Sequence, residues 1–480
     1  MIPLFSVVAI SAEPKQITFD EADIRLKRAY ALAQEASDAD LSSRMLDLRD
    51  RVKAAFDRKD FVAAELIVRD VEEMVHIDAG GKTMFGLPIS QVSAEQRKQL
   101  DALKEKLAAA TAKDDAATLV STVLEMNRIL GDQAGVPDLR RKGDKGKPFP
   151  VKPADVADLF IKALEADPRA LKALSAGTPT AGTMPRAYAS VVQGCLLIRP
   201  LVEQHQKAKL EMLDGLIRGS CKAMIALQLD AGFFKFPDVR GKHVRLGEMI
   251  ERLVAKDPDV IRDGWLIVAD EEGGSQVDAG ECGIALLRAG RELKNEEWTK
   301  AGLKAAQWAG TQNCTPNWNF NAFAVSLLCE ASRTTGDKIY LDLAGIRLAN
   351  GVVVGVAPTG RWLDAFNSRT VNHVILLRAV QDYEETLPIG KQRQGVSNVV
   401  SSRVVATLLD EADKLGAPAT SHTVQELSRY LRLNPDGDKR ARGVLEQAAS
   451  AVIQKCSAGG RVKAAVPLPE LAAAGKVWEK

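Results

Sequence analysis

Between residues 278 and 388 the chain runs through one helical hairpin after another, and this succession limits its fold more than any other feature. Residues 278–293 carry apolar side chains at helical spacing, and 297–312 repeat the pattern after a short polar break. Pro316-Asn317-Trp318-Asn319-Phe320-Asn321 then opens a helix reaching residue 333, and 340–349 form the next. The loop Gly360-Arg361-Trp362-Leu363-Asp364-Ala365-Phe366-Asn367 leads into a helix over 369–385. A lone helical pair leaves an apolar face uncovered, so such pairs are stabilised by stacking, as an open solenoid or a closed ring. Along this chain pairs recur every roughly 45 to 60 residues without a fixed consensus. That argues against short solenoid repeats and for an all-α fold, an α/α toroid whose loops converge on one face.

The rest of the chain extends this reading. A small N-terminal helical module is expected over 15–132, with helices at 19–37, 41–58, 61–75 and 114–130. Ser93 and Gln96 there have the spacing of a capping box that opens a helix to residue 110. Over 133–153 the apolar periodicity stops, and Arg140, Arg141, Lys142, Lys145 and Lys147 alternate with Gly and Pro, as in a linker. Residues 154–480 form the expected toroid domain. Its helices are read at 154–165, 168–175, 186–198, 202–229 and 246–255, then the hairpins above, then 397–414, 424–433 and 439–456. Residues 231–241 read as a loop and 260–265 as extended or helical.

With 480 residues, 46% of them hydrophobic, the chain has enough apolar surface for a sizeable core. Lys and Arg total 65 against 63 acidic residues, which gives no support for a nucleic-acid or membrane-surface partner. No stretch is long enough to span a bilayer. Residues 1–12 are apolar and contain Ala9-Ile10-Ser11, a small-x-small pattern that reads as the remnant of a secretory signal and points to a periplasmic or secreted protein. No Lys or Arg precedes that run; a disordered or core-docked N-terminus is the rival reading, and with it a cytoplasmic location stays open. The six cysteines form no C-x-x-C pair; a Cys314–Cys329 bridge is open, but spacing cannot establish it. Nucleotide-binding, zinc-helix and nucleophile-elbow motifs are absent from the sequence, so no cofactor and no metal is expected.

Tyr340-Leu341-Asp342-Leu343-Ala344, the 360–369 loop, His373-Val374-Ile375-Leu376-Leu377-Arg378 and Leu387-Pro388 resemble the hairpin register of bacterial α/α-toroid (six-hairpin) proteins. Gly232-Phe233-Phe234-Lys235-Phe236-Pro237 resembles the loops such proteins place over their central cavity. The likeness covers about half the chain and is architectural. It implies a carbohydrate-active protein of the polysaccharide lyase or glycoside hydrolase type, whose partner is a polysaccharide or oligosaccharide. Fold alone does not assign the chemistry.

Three groups of residues are candidates for that chemistry. Asp278 and Glu281, three apart at a helix start, have the types a glycosidase needs for its acid and base, with Asp364 as a distant partner. They equally fit a helix cap and its capping partner. Trp318 and Trp362 offer flat faces to a sugar ring, and Asn317, Asn321, Asn367 and Arg361 offer hydrogen bonds; core packing and helix capping are the plainer roles. Arg369, one turn before His373, together with Tyr383, supplies the types a uronate lyase needs: a cation for the carboxylate and a base for the carbon-bound proton. Arg240 and His243 are a comparable pair on another loop. The expectation is an enzyme acting on an acidic polysaccharide, by β-elimination in preference to hydrolysis. A non-catalytic glycan-binding or scaffold protein is the alternative.

Overall fold

The computed structural model describes residues 143–148, 151–241, 244–269, 273–315, 317–353, 370–390, 400–458 and 468–478, with 50–59, 94–112 and isolated positions elsewhere. Residues 1–12 lie outside them. The chain divides into two compact units: residues 1–140 with 314–319 and 346–373, and residues 141–313, 320–345 and 374–480. Both are mainly helical, and no described helix is long and apolar enough to cross a membrane. All six cysteines are free thiols.

The first unit contains α1 (Ala94–Ala112) and a core that includes Val52, Ala55, Val68 and Leu107. Phe19 meets Phe56 edge-on at 5.3 Å between ring centroids. In the same unit Trp362 is wholly buried, donates its indole N–H to the Val352 carbonyl at 2.8 Å, and packs edge-on against the His373 ring.

In the second unit the helices are α2 (Pro153–Glu165), α3 (Pro168–Ala176), α4 (Pro185–His205), α5 (Leu210–Leu227), α6 (Val244–Lys256), α7 (Ser275–Glu292) and α8 (Glu296–Thr311). There follow α9 (Trp318–Thr335), α10 (Lys338–Gly351) and α11 (Thr370–Thr386), whose residues 318–319, 346–351 and 370–373 belong to the first unit, and then α12 (Ser402–Leu415), α13 (Ser421–Leu433), α14 (Arg440–Ala458) and α15 (Leu468–Ala474). Local chemistry sets many of the boundaries. Asp167, Asn295 and Thr420 accept N-cap hydrogen bonds from Ala170, Trp298 and Thr423, and Gly177 ends α3 at φ 73°.

Tyr188, Val191, Val192, Cys195, Ile198 and Val202 form the buried stripe of α4 at helical spacing. Pro200 sits inside that helix. The expected break beside it falls instead after His205, where Gln206 leaves helical geometry and a 3-10 turn leads into α5. Helix α7 is buried on almost every side, and glycine lets its neighbours approach. A Cβ at Gly280 would lie 2.7 Å from Phe323 Cβ of α9, and one at Gly302 of α8 would lie 2.6 Å from Leu287 Cγ.

Polar links follow the helices in chain order. Gln193 of α4 bonds to Glu281 of α7, and Arg288 and Arg291 of α7 bond to Glu330 of α9. Arg333 of α9 reaches Asp382 of α11, which also accepts from Arg429 of α13. Ser421 of α13 meets Glu470 of α15, and α15 packs back on α4, where Gly194 faces Leu468. Helix α15 was not foreseen from the sequence.

Two more departures concern connecting segments. Residues 236–268 form a small module instead of a plain loop and helix. In it β1 (Phe236–Pro237), β2 (Ile261–Arg262) and β3 (Trp265–Leu266) pair antiparallel in the order β1-β3-β2. Val239, Ile250, Val260 and Leu266 form its own apolar core with α6. In the expected 133–153 linker, Gly143 and Asp144 are held to Leu415 and Ala417 by backbone hydrogen bonds, so this part is docked and not a loose tether.

Candidate functional site

One cavity of about 680 Å³ opens in the second unit, walled by α3, α4, α7, α9, α11, α13 and α15. Its chemistry comes from Arg186, Tyr188 and Gln193 on α4, Glu281 on α7, Arg378 on α11, Ser421 and His422 on α13, and Glu470 on α15. Leu174, Leu197, Val277 and Phe323 add apolar wall. Few polar groups on an apolar concave surface is the usual make-up of a small-ligand site.

Glu281 and Arg378 are its fixed centre. Arg378 Nη1 donates to Glu281 Oε1 at 2.7 Å, and Gln193 Nε2 donates to Glu281 Oε2 at 2.7 Å. Burial by itself would raise the Glu281 pKa. The charge of Arg378 and the two hydrogen bonds outweigh it and hold the carboxyl below its ordinary value, so it is ionised at neutral pH. Arg378 is buried, and its Nη2 has no acceptor among the described residues.

The other groups are tuned differently. Burial, reinforced by the Arg378 cation and only partly offset by Glu281, pushes His422 down to about 4, so its imidazole is neutral at pH 7. Burial raises Glu470 above its ordinary value despite Lys455 and the Ser421 hydroxyl. Arg186 lies 3.6 Å from Asp278 Oδ1, an ion-pair distance too long for a hydrogen bond. Its Nη2 meets Met184 Sδ at 3.2 Å, and its guanidinium stands 5.8 Å over the Phe236 ring of the small module.

Behind this wall lies a buried ionic cluster. Asp382, with no exposed surface, accepts from Arg429 at 2.9 Å and is paired with Arg333 and Arg378. Glu426 lies 3.2 Å from Arg429. Burial and then the nearby Asp382 raise it to about 7 against the pull of Arg429.

Of the residues expected from sequence, the cavity gathers Glu281 on its wall and Asp278 through Arg186. Asp278 is buried and is not the side-chain cap of its helix. Tyr383 is buried against Gly345 of α10, where burial raises its phenol to about 12, and it is not on the cavity wall. Arg240 is exposed and folds back on Asp238, with its Nη2 at 2.8 Å from the carboxylate. Asn321 is wholly buried. In the first unit, Asn317, Trp318, Arg361, Trp362 and His373 are all buried, and buried rings offer no open face to a sugar. His243, Asp364, Asn367 and Arg369 lie outside the described residues.

Sequence reasoning missed Arg186, Gln193, Arg378, His422 and Glu470. One signal was available: Arg378 interrupts the apolar run Val374-Ile375-Leu376-Leu377, and a charge buried on such a helix must find a partner. The chain matches no known protein-family model, and no curated protein matches it.

Proposed function

We propose that the second unit is an α/α toroid and a carbohydrate-active enzyme acting on an acidic polysaccharide by β-elimination. The toroid reading draws on the links from α4 through α7, α9, α11, α13 and α15 and the return of α15 to α4. These six would be the inner helices. Helices α5, α8, α14 and α2 pack against α4, α7, α13 and α15 respectively and would be the outer ones.

The single observation that carries the chemistry is one cavity walled by two guanidinium groups, Arg186 and Arg378, a neutral imidazole, His422, and a phenol, Tyr188. β-Elimination needs the sugar carboxylate neutralised, which acidifies the neighbouring carbon, and a base to take the proton. Arg186 and Arg378 are the neutralisers in this reading, and His422 is the base. Glu281 fixes Arg378.

Hydrolysis is the second reading, and one observation favours it: Glu281 and Glu470 share the cavity, with one pKa held down and the other pushed up. Such divergence is how a carboxyl pair divides base and acid roles. Incubation with polyuronates separates the readings. Ultraviolet absorbance of an unsaturated uronate product means elimination, and new reducing ends without that absorbance mean hydrolysis. Binding with no product makes the chain a glycan-binding protein.

A further inference from the structure

The cavity has an apolar side as well as a charged one. On α4, Arg186, Ser190 and Gln193 follow helical spacing and form one stripe, and Ala187, Val191 and Gly194 form the stripe beside it. Both stripes line the cavity. The polar one runs to α7, where Gln193 donates to Glu281 at 2.7 Å. The apolar one runs to α15, where a Cβ on Gly194 would lie 3.7 Å from the Leu468 carbonyl carbon, next to Pro469 of the cavity wall. Helix α3 continues the apolar side with Ala170, Ala173 and Leu174, spaced i, i+3, i+4. No residue of α3 is buried, and Ala173 and Ala187 are both exposed. The back of α3 leans on α5, where Gly219 admits it so closely that a Cβ would clash with the Leu174 carbonyl oxygen. The helix is thus held from behind, and its apolar stripe is left to the cavity.

We propose that α3, α4 and α15 form an apolar subsite for an acyl or aryl substituent carried by the acidic sugar. This rests on the carbohydrate reading above for the sugar itself; the subsite stands on the apolar stripes. A bare uronate presents hydroxyls around its ring, and hydroxyls set against alanine and leucine lose hydrogen bonds to water and gain none. An apolar group in the same place removes water from both surfaces. The cavity, at about 680 Å³, is well above the ~300 Å³ at which small-ligand sites begin, so it has room beside a sugar ring. Charge sets the orientation. Arg186 and Arg378 stand on the polar side, so an anionic sugar enters with its charged end towards α7 and α11 and its apolar group towards α3 and α15.

The test is titration calorimetry of the full chain with methyl and phenyl galacturonide, and with methyl and phenyl galactoside as the uncharged pair. The expected result is binding about tenfold tighter for phenyl than for methyl galacturonide. Methyl galacturonide benzoylated at O2 or at O3 tells an ester-borne group from a glycosidic one, the tightest of the three naming the point of attachment. Ala173→Gln, at an exposed helical position that suits glutamine, should cut the phenyl-to-methyl ratio to about twofold or less. Ala187→Gln, from the other helix, should do the same. No gain from phenyl or benzoyl on any sugar, or a gain that both variants leave intact, would overturn the proposal. A phenyl gain that persists on the galactosides, with acid and neutral sugars bound alike, upholds the subsite and removes the acidic-sugar reading. Tighter binding of galacturonides than of galactosides with no phenyl gain keeps that reading and removes the subsite.

Discussion

Replacing Glu330 with Gln should destabilise the second unit more than any surface change. Glu330 is almost wholly buried and receives three arginines: Arg291 at 2.7 Å, Arg288 at 2.9 Å and Arg333 at 3.0 Å. It thus joins α7 to α9 beside the Arg333–Asp382 link to α11. Burial opposes its ionisation, but the three cations prevail and hold it far below the ordinary carboxyl range. Gln keeps the shape and removes the charge. Each charge-assisted bond contributes about 1.5–3 kcal/mol, and breaking a buried pair costs about 3–5 kcal/mol. Arg291 is half exposed and regains water, so about 3 kcal/mol is the net expectation. Against a typical total of about 5–15 kcal/mol that is a large fraction. Urea unfolding followed by far-ultraviolet circular dichroism measures it. The sign with pH follows from the lowered pKa: the Glu330 contribution is full above about pH 4.3, the unfolded value, and disappears as pH falls through the folded one. A loss below about 1 kcal/mol at pH 7, or one that grows on acidification, would refute the reasoning.

Glu426 has the opposite sign. Its folded pKa is raised to about 7, so its contribution is full below the unfolded value and is lost as pH rises through 7; the stability difference between wild type and Glu426→Gln should fall over that interval, as equilibrium unfolding at several pH values would show. Gly280→Ala places a Cβ 2.7 Å from Phe323 Cβ and 2.9 Å from its carbonyl oxygen. The expected destabilisation is about 1–3 kcal/mol in the same assay, with weakened ligand binding because Phe323 lines the cavity. Phe236→Leu removes the ring beneath Arg186 and should lower affinity for an acidic sugar about two- to fivefold without changing thermal stability much, measured by titration calorimetry. Cys195 and Cys329, wholly buried and pushed up to about 12 by desolvation, should resist maleimide at pH 7 until denaturant is added, as mass spectrometry would show.

Most of the helices were legible because their apolar stripes keep the 3.6-residue period and their ends carry caps such as Asp167, Asn295 and Thr420. Pro200 misled, because a long, well-buried helix tolerates one missing N–H. Helix α15 escaped because seven residues are too few to show a period. The sheet of the small module escaped because each strand has only two residues. The site was legible only in Glu281. Its partners come from α4, α11, α13 and α15, 88 to 189 residues away along the chain, and no local pattern encodes such a meeting. The exposed-looking tryptophans misled for the opposite reason: an aromatic beside asparagines reads as a sugar platform, whereas Trp362 satisfies its indole N–H on Val352 and is buried.

A crystal structure of the full chain soaked with digalacturonate tests the central claim most directly. The account predicts sugar density inside the α4–α7–α11–α13–α15 cavity, with one carboxylate at hydrogen-bonding distance from Arg186 and Arg378 and His422 beside it. Sugar bound elsewhere while this cavity holds only water would contradict it.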